Sequence, residues 1–538
     1  MSSLPDPILQ GLARSWKVHG GRHAALPATL NCDVAIVGSG AGAGITAELL
    51  AASGLDVVIV EEGPLRSSTD FRQLESEAYP QLYQESAARK TADKAISIMQ
   101  GRCVGGSTTV NWTSSFRTPP ATLAWWQQQF GLSEMTETSM APWFERAEAR
   151  LSIAPWPVAP NRNNELLRQG ALKVGVAADP IRRNVKGCWN LGSCGLGCPT
   201  NAKQSMLVTT IPAALDKGAR LLVQTRAEKF ELSGGRAAAL LCVPVQQDGS
   251  PASQQTTRIV ARHYVVAGGA IGSPALLLRS GAPDPHQRLG RRTFLHPVVV
   301  SAATYAEPVE AWSGAPQTLY SDHFLHVGPI DGPIGYKLEA APLHPVIFSS
   351  TLPGFGPEQA ALMKDLPHTH AQLALMRDGF HEQAAGGSVK LRGDGSPVLD
   401  YTLTPFIMEG ARRAFLSMAE MQFAAGARTV LPAHELAAPL SSWAAARKLI
   451  EALPMKPLLT RVVSAHVMGG CGMAGKPELG VARPDGTHWQ IENLSVHDGS
   501  LFPTSIGANP QLSIYGLVNK LATQLARQLT GRDVQLTA

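Results

Sequence analysis

Between Asp33 and Glu61 the chain spells out an ordered unit that leaves few folds open. The apolar, β-branched run Asp33-Val34-Ala35-Ile36-Val37 ends in Gly38-Ser39-Gly40-Ala41-Gly42-Ala43-Gly44. Ile45 to Ala52 then has helix-forming composition, Gly54 offers a stop, and a second apolar run, Val57-Val58-Ile59-Val60, ends in Glu61. Such an order predicts strand, tight turn, helix and strand. Glycines in the turn let backbone approach a pyrophosphate, the helix amino-terminus favours negative charge, and an acid about twenty positions on accepts ribose hydroxyls. Glu61 stands twenty-three positions after Gly38. A lone glycine pattern would be weak, but here strands, helix and acid all agree, so Gly38, Gly40, Ala41, Gly42 and Glu61 are candidate ligands of a dinucleotide. Ala43 occupies the third glycine position, which close helix-to-sheet contact tolerates. Glu62 could replace Glu61, but a slip of one residue would turn it to the opposite face of the strand.

Two later stretches extend the pattern. Gly101-Arg102-Cys103-Val104-Gly105-Gly106-Ser107-Thr108-Thr109-Val110-Asn111 reads as a small-residue loop, too glycine-rich for a strand and too flexible for a helix. Tyr264-Val265-Val266-Ala267-Gly268-Gly269-Ala270-Ile271-Gly272-Ser273-Pro274-Ala275-Leu276-Leu277-Leu278 repeats the order strand, turn, helix. Two such units far apart in sequence predict one sheet assembled from distant segments.

Length and composition narrow the function classes. A chain of 538 residues, 44% hydrophobic and 17% charged, is an ordinary globular protein able to form one large two-lobed body. Its net charge of +5 comes without a Lys/Arg run, so small molecules are better expected partners than nucleic acid or an anionic membrane. The longest charge-free run, Gly499 to Asn519, carries Ser, Thr, Asn, Gln and two prolines and makes a poor span; no integral membrane segment is expected. Met1 to Pro7 lacks the basic and apolar parts of a secretion signal, and the seven cysteines are an odd number. Both predict a cytoplasmic, reducing setting.

Taken together, these blocks resemble the glucose-methanol-choline (GMC) oxidoreductases, a family of flavoproteins. The matching blocks fall in order along the whole chain: Gly38 to Glu61, Gly101 to Asn111, Ala267 to Leu278, Asp394-Gly395-Ser396-Pro397 to Tyr401, and terminal blocks around His466 and Asn509. The resemblance implies an α/β fold in which a discontinuous, Rossmann-like FAD-binding domain carries an α+β substrate-binding domain, or cap, with an antiparallel sheet. On that pattern residues 1–30 form an amino-terminal arm, 31–118, 200–298 and 459–538 bind FAD, and 119–199 and 299–458 form the substrate domain. It adds Gly101, Arg102, Gly105, Gly106, Ser107 and Asn111 as cofactor-binding positions, with the Gly105-Gly106 loop passing the flavin ring. It adds Asp498 and Gly499 through their backbone, although an Asp-Gly turn alone explains that pair about as well.

Oxidising an alcohol removes a hydroxyl proton and a hydride, so a site needs a base at the oxygen and an electron sink facing the C–H bond. His466, in Ser464-Ala465-His466-Val467-Met468-Gly469-Gly470, is the candidate base, since imidazole titrates nearest neutral pH. Asn509, in Gly507-Ala508-Asn509-Pro510, can donate an amide hydrogen bond to the developing alkoxide. The family pattern likewise makes His466 the base, Asn509 its partner and the flavin N5 the hydride acceptor. It implies a small-molecule alcohol as substrate and oxygen, a quinone or a cytochrome as final acceptor. Some relatives are lyases that keep FAD for structure, which is the alternative reading. His296, where the family chain enters the substrate domain, is expected at most to stand behind the reacting groups. Val110 offers no nucleophile where some relatives tether the flavin through histidine, so FAD is expected to be non-covalent. Cys188, Cys194 and Cys198 lie within eleven residues, but their spacing matches neither a zinc ribbon nor a ferredoxin run; an iron–sulfur cluster stays open beside a plain cysteine-rich loop, and no metal site is expected.

Overall fold

The computed structural model describes residues 4–534. Its first sheet has eight strands, in the order Val18–His19, Arg220–Leu222, Val57–Val60, Thr29–Val37, Thr257–Val266, Arg236–Pro244 and Thr225–Ser233, with Leu494–Val496 also paired to Thr257–Val266. The strand Thr257–Val266 is the hinge of the pattern. It runs parallel to Thr29–Val37 along its length, while its other edge takes the antiparallel hairpin at Thr257–Ile259 and the parallel strand Leu494–Val496 at Tyr264–Val266. Distant segments therefore build one sheet, as the paired strand–turn–helix units predict. Val34, Ala35, Ile36 and Val57 to Ile59 are sealed from solvent, as expected for strands covered on both faces.

The helix Ala41–Ala52 starts four residues earlier than its composition suggests and is buried from Gly42 to Ala51. A helix apolar on all sides belongs inside a body, and this one lies between Thr210–Asp216 and the carboxy-terminal helix Gln511–Thr530. The helices Pro120–Phe130 and Glu137–Arg150 contribute Trp126 and Phe144 to the same core, and Arg150 grips the buried Glu48 at 2.7 Å. The loop Gly101 to Asn111 contains one helical turn, Ser107–Val110, which its composition did not suggest; Gly106 at φ +53 starts it.

A second sheet, largely antiparallel, has the order Ile96–Ile98, Val462–Ser464, Val298–Thr304, Thr369–Met376, Tyr336–Ala340, Leu319–Ser321 and Asp179–Pro180, with Thr429–Pro432 also on Val298–Thr304. The long helix Pro405–Ala424 packs on it and with Leu338, Ala374 and Phe415 defines a separate core. A small four-stranded sheet, Pro397–Asp400, Gly387–Leu391, Arg291–Phe294 and Met468–Gly469, lies where the chain passes between the two larger ones. The protein is thus a mixed α/β molecule with a parallel, Rossmann-like part and a separate antiparallel part.

Candidate active site

Glycine packs the dinucleotide turn against its neighbours with no room for a side chain. A Cβ on Gly42 would stand 1.6 Å from the carbonyl oxygen of His497, and one on Gly38, at φ +98, would stand 2.3 Å from that of Ala267. The turn also meets the Gly101–Ser107 loop, where a Cβ on Gly106 would stand 2.8 Å from the Gly40 Cα. Ser39 joins them chemically: its Oγ donates to Glu61 at 2.5 Å and accepts from the Gly105 N–H at 3.0 Å. Glu61 also accepts from the Gly63 N–H at 2.7 Å, and burial pushes its pKa up to about 7. No side chain caps the helix that begins at Ala41, which leaves its first N–H groups to an anion. Gly38, Gly40, Ala41, Gly101 and Gly106 keep accessible surface and Ser107 is exposed, although the strands leading to them are buried. A side-chain-free cradle, an open helix end and a buried carboxylate fit an adenine dinucleotide such as FAD.

Other cofactor candidates have prior commitments. The Arg102 guanidinium, 4% exposed, is occupied by the carbonyls of Gln246 at 3.0 Å and of Gln247, with the Glu62 carboxylate 3.5 Å away. Asp498 caps the helix Gly269–Arg279, accepting from the Gly269 N–H at 2.8 Å and from Ser273 Oγ at 2.5 Å, and also holds the Ser500 N–H. Its backbone and that of Gly499 stay beside the turn, since His497 and Asp498 border Gly42. Asn111 donates to Gln511 at 2.7 Å, which ties the loop to the start of the carboxy-terminal helix. Lys203, 2% exposed, gives its ammonium to three carbonyls: Thr109 at 2.8 Å, Asn111 at 2.7 Å and Cys194 at 2.7 Å.

Strand pairing brings His466 to this cradle. Ile96–Ile98 and Val462–Ser464 pair in parallel, so the loop to Gly101–Ser107 and the loop to His466 leave the sheet at the same end. Across the sheet, Val463 pairs with Val298, which places His296 beside His466. Their Nδ1 atoms are 3.2 Å apart and the rings tilt by 32°. One Nδ1 donates and the other accepts, so His296 fixes the ring of His466 and leaves its Nε2 without a protein partner among the described residues. His466 keeps accessible surface while burial, reinforced by Lys337, pushes its pKa down to about 3. Both properties suit a neutral imidazole.

His296 is wholly buried and sits at φ +48, a left-handed conformation that costs a non-glycine residue of order 1–3 kcal/mol. Asp378 holds it there. Its carboxylate accepts the backbone N–H groups of Leu295 and His296, each at 3.1 Å, and the Tyr401 hydroxyl at 2.7 Å. This gives Tyr401 its place and makes His296 the direct support of His466.

Asn509 is 5% exposed and belongs to a cluster that sequence reasoning missed. Its Oδ1 accepts from Lys337 Nζ at 3.1 Å and its Nδ2 donates to Glu339 Oε2 at 3.2 Å. Lys337 and Glu339 form a buried ion pair at 3.1 Å, 1% and 0% exposed. Alternation along Tyr336–Ala340 sends both to one face of the sheet, while the Tyr336 hydroxyl reaches Ser417 on the long helix. The signal was a Lys and a Glu two apart inside an apolar run, which ordinarily reads as a solvated strand face.

The seven cysteines are all free thiols, and no group of three or more metal-ligating side chains occurs among the described residues, Cys188, Cys194 and Cys198 included. No helix among the described residues is long and apolar enough to cross a membrane.

Fold and site define a dinucleotide-binding α/β protein with an imidazole and an amide supported from a second sheet. The chain belongs to the GMC oxidoreductase family, whose amino-terminal model matches residues 79–298 and carboxy-terminal model residues 383–517. It is 31% identical over 508 residues to an uncharacterized GMC-type oxidoreductase of Mycobacterium tuberculosis, covering 94% of this chain and 77% of that one. To a long-chain-alcohol oxidase of Arabidopsis thaliana it is 27% identical, covering 91% and 67%. Among solved structures, pyridoxine 4-oxidase from Mesorbium loti superposes with a TM-score of 0.66 at 17% identity, covering 92% and 99%. Formate oxidase of Aspergillus oryzae gives 0.67 at 14% identity, covering 93% and 99%, and both likenesses concern the fold.

Proposed function

We propose that this protein oxidises a CH–OH group of a small-molecule alcohol to a carbonyl, with FAD as cofactor and His466 as base. The observation that carries the reading is the His466 imidazole, neutral, fixed by His296, and delivered by paired strands to the edge of the glycine cradle. Bound FAD supplies the hydride acceptor. His466 Nε2 is the atom free to take the hydroxyl proton. The Asn509 amide has a second N–H to give to the oxygen as charge develops. Gly38, Gly40, Ala41, Gly42 and Glu61 would hold the adenosine and pyrophosphate end, and Gly101, Gly105, Gly106 and Ser107 the ring end, with Arg102 and Asn111 bracing that loop. The Asp498-Gly499 backbone closes the same edge. The division into 31–118, 200–298 and 459–538 for cofactor and 119–199 and 299–458 for substrate accompanies this reading.

Val110 is apolar and buried, which supports a non-covalent flavin. The long-chain-alcohol oxidases among the relatives favour an alcohol with an apolar body, with oxygen, a quinone or a cytochrome as acceptor. The free thiols support a reducing, cytoplasmic setting. The test is anaerobic stopped-flow with a panel of primary, secondary and aromatic alcohols. His466→Ala should stay yellow yet lose flavin bleaching by about 10²–10⁴-fold, the usual worth of a general base. A variant bleached at the wild-type rate overturns the assignment. Turnover with a flavin that stays oxidised would identify the lyase alternative.

A further inference from the structure

Resting on the reading of Asn509 as a donor to the reacting oxygen, we infer that Lys337 and Glu339 are positioning residues: together they lock the Asn509 amide in its donating orientation. The chemistry of the three groups leaves one arrangement. An ammonium can only donate and an ionised carboxylate can only accept. Lys337 on one side and Glu339 on the other therefore dictate which end of the amide is oxygen, and the bonds of 3.1 and 3.2 Å obey that rule. An unsupported asparagine could turn its oxygen toward the substrate, where it would repel a developing alkoxide. With Oδ1 claimed by the ammonium, the remaining N–H of Nδ2 is the group left to meet the oxygen.

A charged pair this deep is expensive, and replacing such pairs by neutral groups often costs nothing in stability. Its surroundings show how the ammonium is accommodated. Lys337 Nζ lies 2.9 Å from the centroid of the Phe116 ring and 4.4 Å from that of Tyr320, and these two rings meet edge to face at 4.8 Å. Two aromatic faces, one carboxylate and one amide oxygen thus enclose it. Phe116 comes from the segment that follows Asn111, Tyr320 from the neighbouring strand and Asn509 from the turn before the carboxy-terminal helix, so the pair joins both parts of the molecule at the reacting centre.

A double-mutant cycle on the holoenzyme tests this positioning role. Asn509→Ala alone should lower the rate of anaerobic flavin reduction about a hundredfold, the usual loss for one oxyanion donor; no loss would sink the reading of Asn509 itself and leave nothing for the pair to position. Lys337→Met should lower the same rate at least tenfold with KM little changed, and should cost much less in the Asn509→Ala background, because the lysine acts through the amide. Full additivity overturns the inference while leaving Asn509 in place. Should Lys337→Met fail to fold because Glu339 is stranded, Lys337→Met/Glu339→Gln leaves no unpaired charge. That double variant should melt near the wild-type temperature and still show the slow reduction; wild-type rates in it refute the proposal.

Discussion

The turn from Asp33 to Gly63 and the centre around His466 solve the same problem, holding a few groups fixed, by opposite means. The turn is continuous in sequence and works by omission, with glycines that leave space and an open helix end. The centre around His466 draws His296, Lys337, Glu339, His466 and Asn509 from four separated segments and works by addition, side chain held by side chain. The first can be broken by adding one carbon. The second has to be broken by removing a partner.

That contrast can be attacked most severely at Gly42, where a methyl group would overlap the His497 carbonyl. Gly42→Ala should give protein that is colourless or insoluble, checked by the flavin-to-protein absorbance ratio. A fully loaded yellow variant would show that the turn has slack. A smaller and shared effect should come from acid. His466, His370 and His497 have pKa values pushed down to about 3, and His263 and His488 to about 4, from an ordinary 6.5, chiefly by burial. Their folded-state values are depressed, so the unfolded chain binds more protons below 6.5; stability from this source is complete above that pH and drains as pH falls toward 3. Melting temperature should drop by about 5 °C or more between pH 7.5 and 5, with little change from these groups above pH 7. Because His263 lies on the parallel sheet and His370 on the antiparallel one, equal sensitivity of near-ultraviolet and flavin signals is expected. The mildest probe is Glu61→Gln, which keeps the shape but removes the charged acceptor. It should weaken FAD retention by about 2 kcal/mol, some thirtyfold, measured by flavin release on dilution. An unchanged affinity would mean that Ser39 and Gly63 are the partners that matter to Glu61.

The same contrast explains what the sequence disclosed. The strands Asp33 to Val37 and Val57 to Val60, the turn and the acid were legible because their contacts are local and steric rules act on neighbouring residues. His466 and Asn509 stood out as candidates through their motifs. His296 was expected at most behind the reacting groups, and the pairing of Val298 with Val463 sets it behind His466. Lys337 and Glu339 were invisible because a charged pair in a strand reads as solvent-facing until the aromatic rings and the amide that enclose it are known. Arg102 and Asp498 stood in conspicuous motifs, but the carbonyls and helix end they serve come from 144 to 229 residues away in the chain.

Lys203 has a practical corollary for anyone reshaping this scaffold. Its single ammonium fastens the cysteine-bearing segment at Cys194 to the turn that carries Thr109 and Asn111. Excising the segment as dispensable ornament would strip one acceptor from a cation sealed away from water. Insertion and turn travel as one part, to be grafted or discarded together.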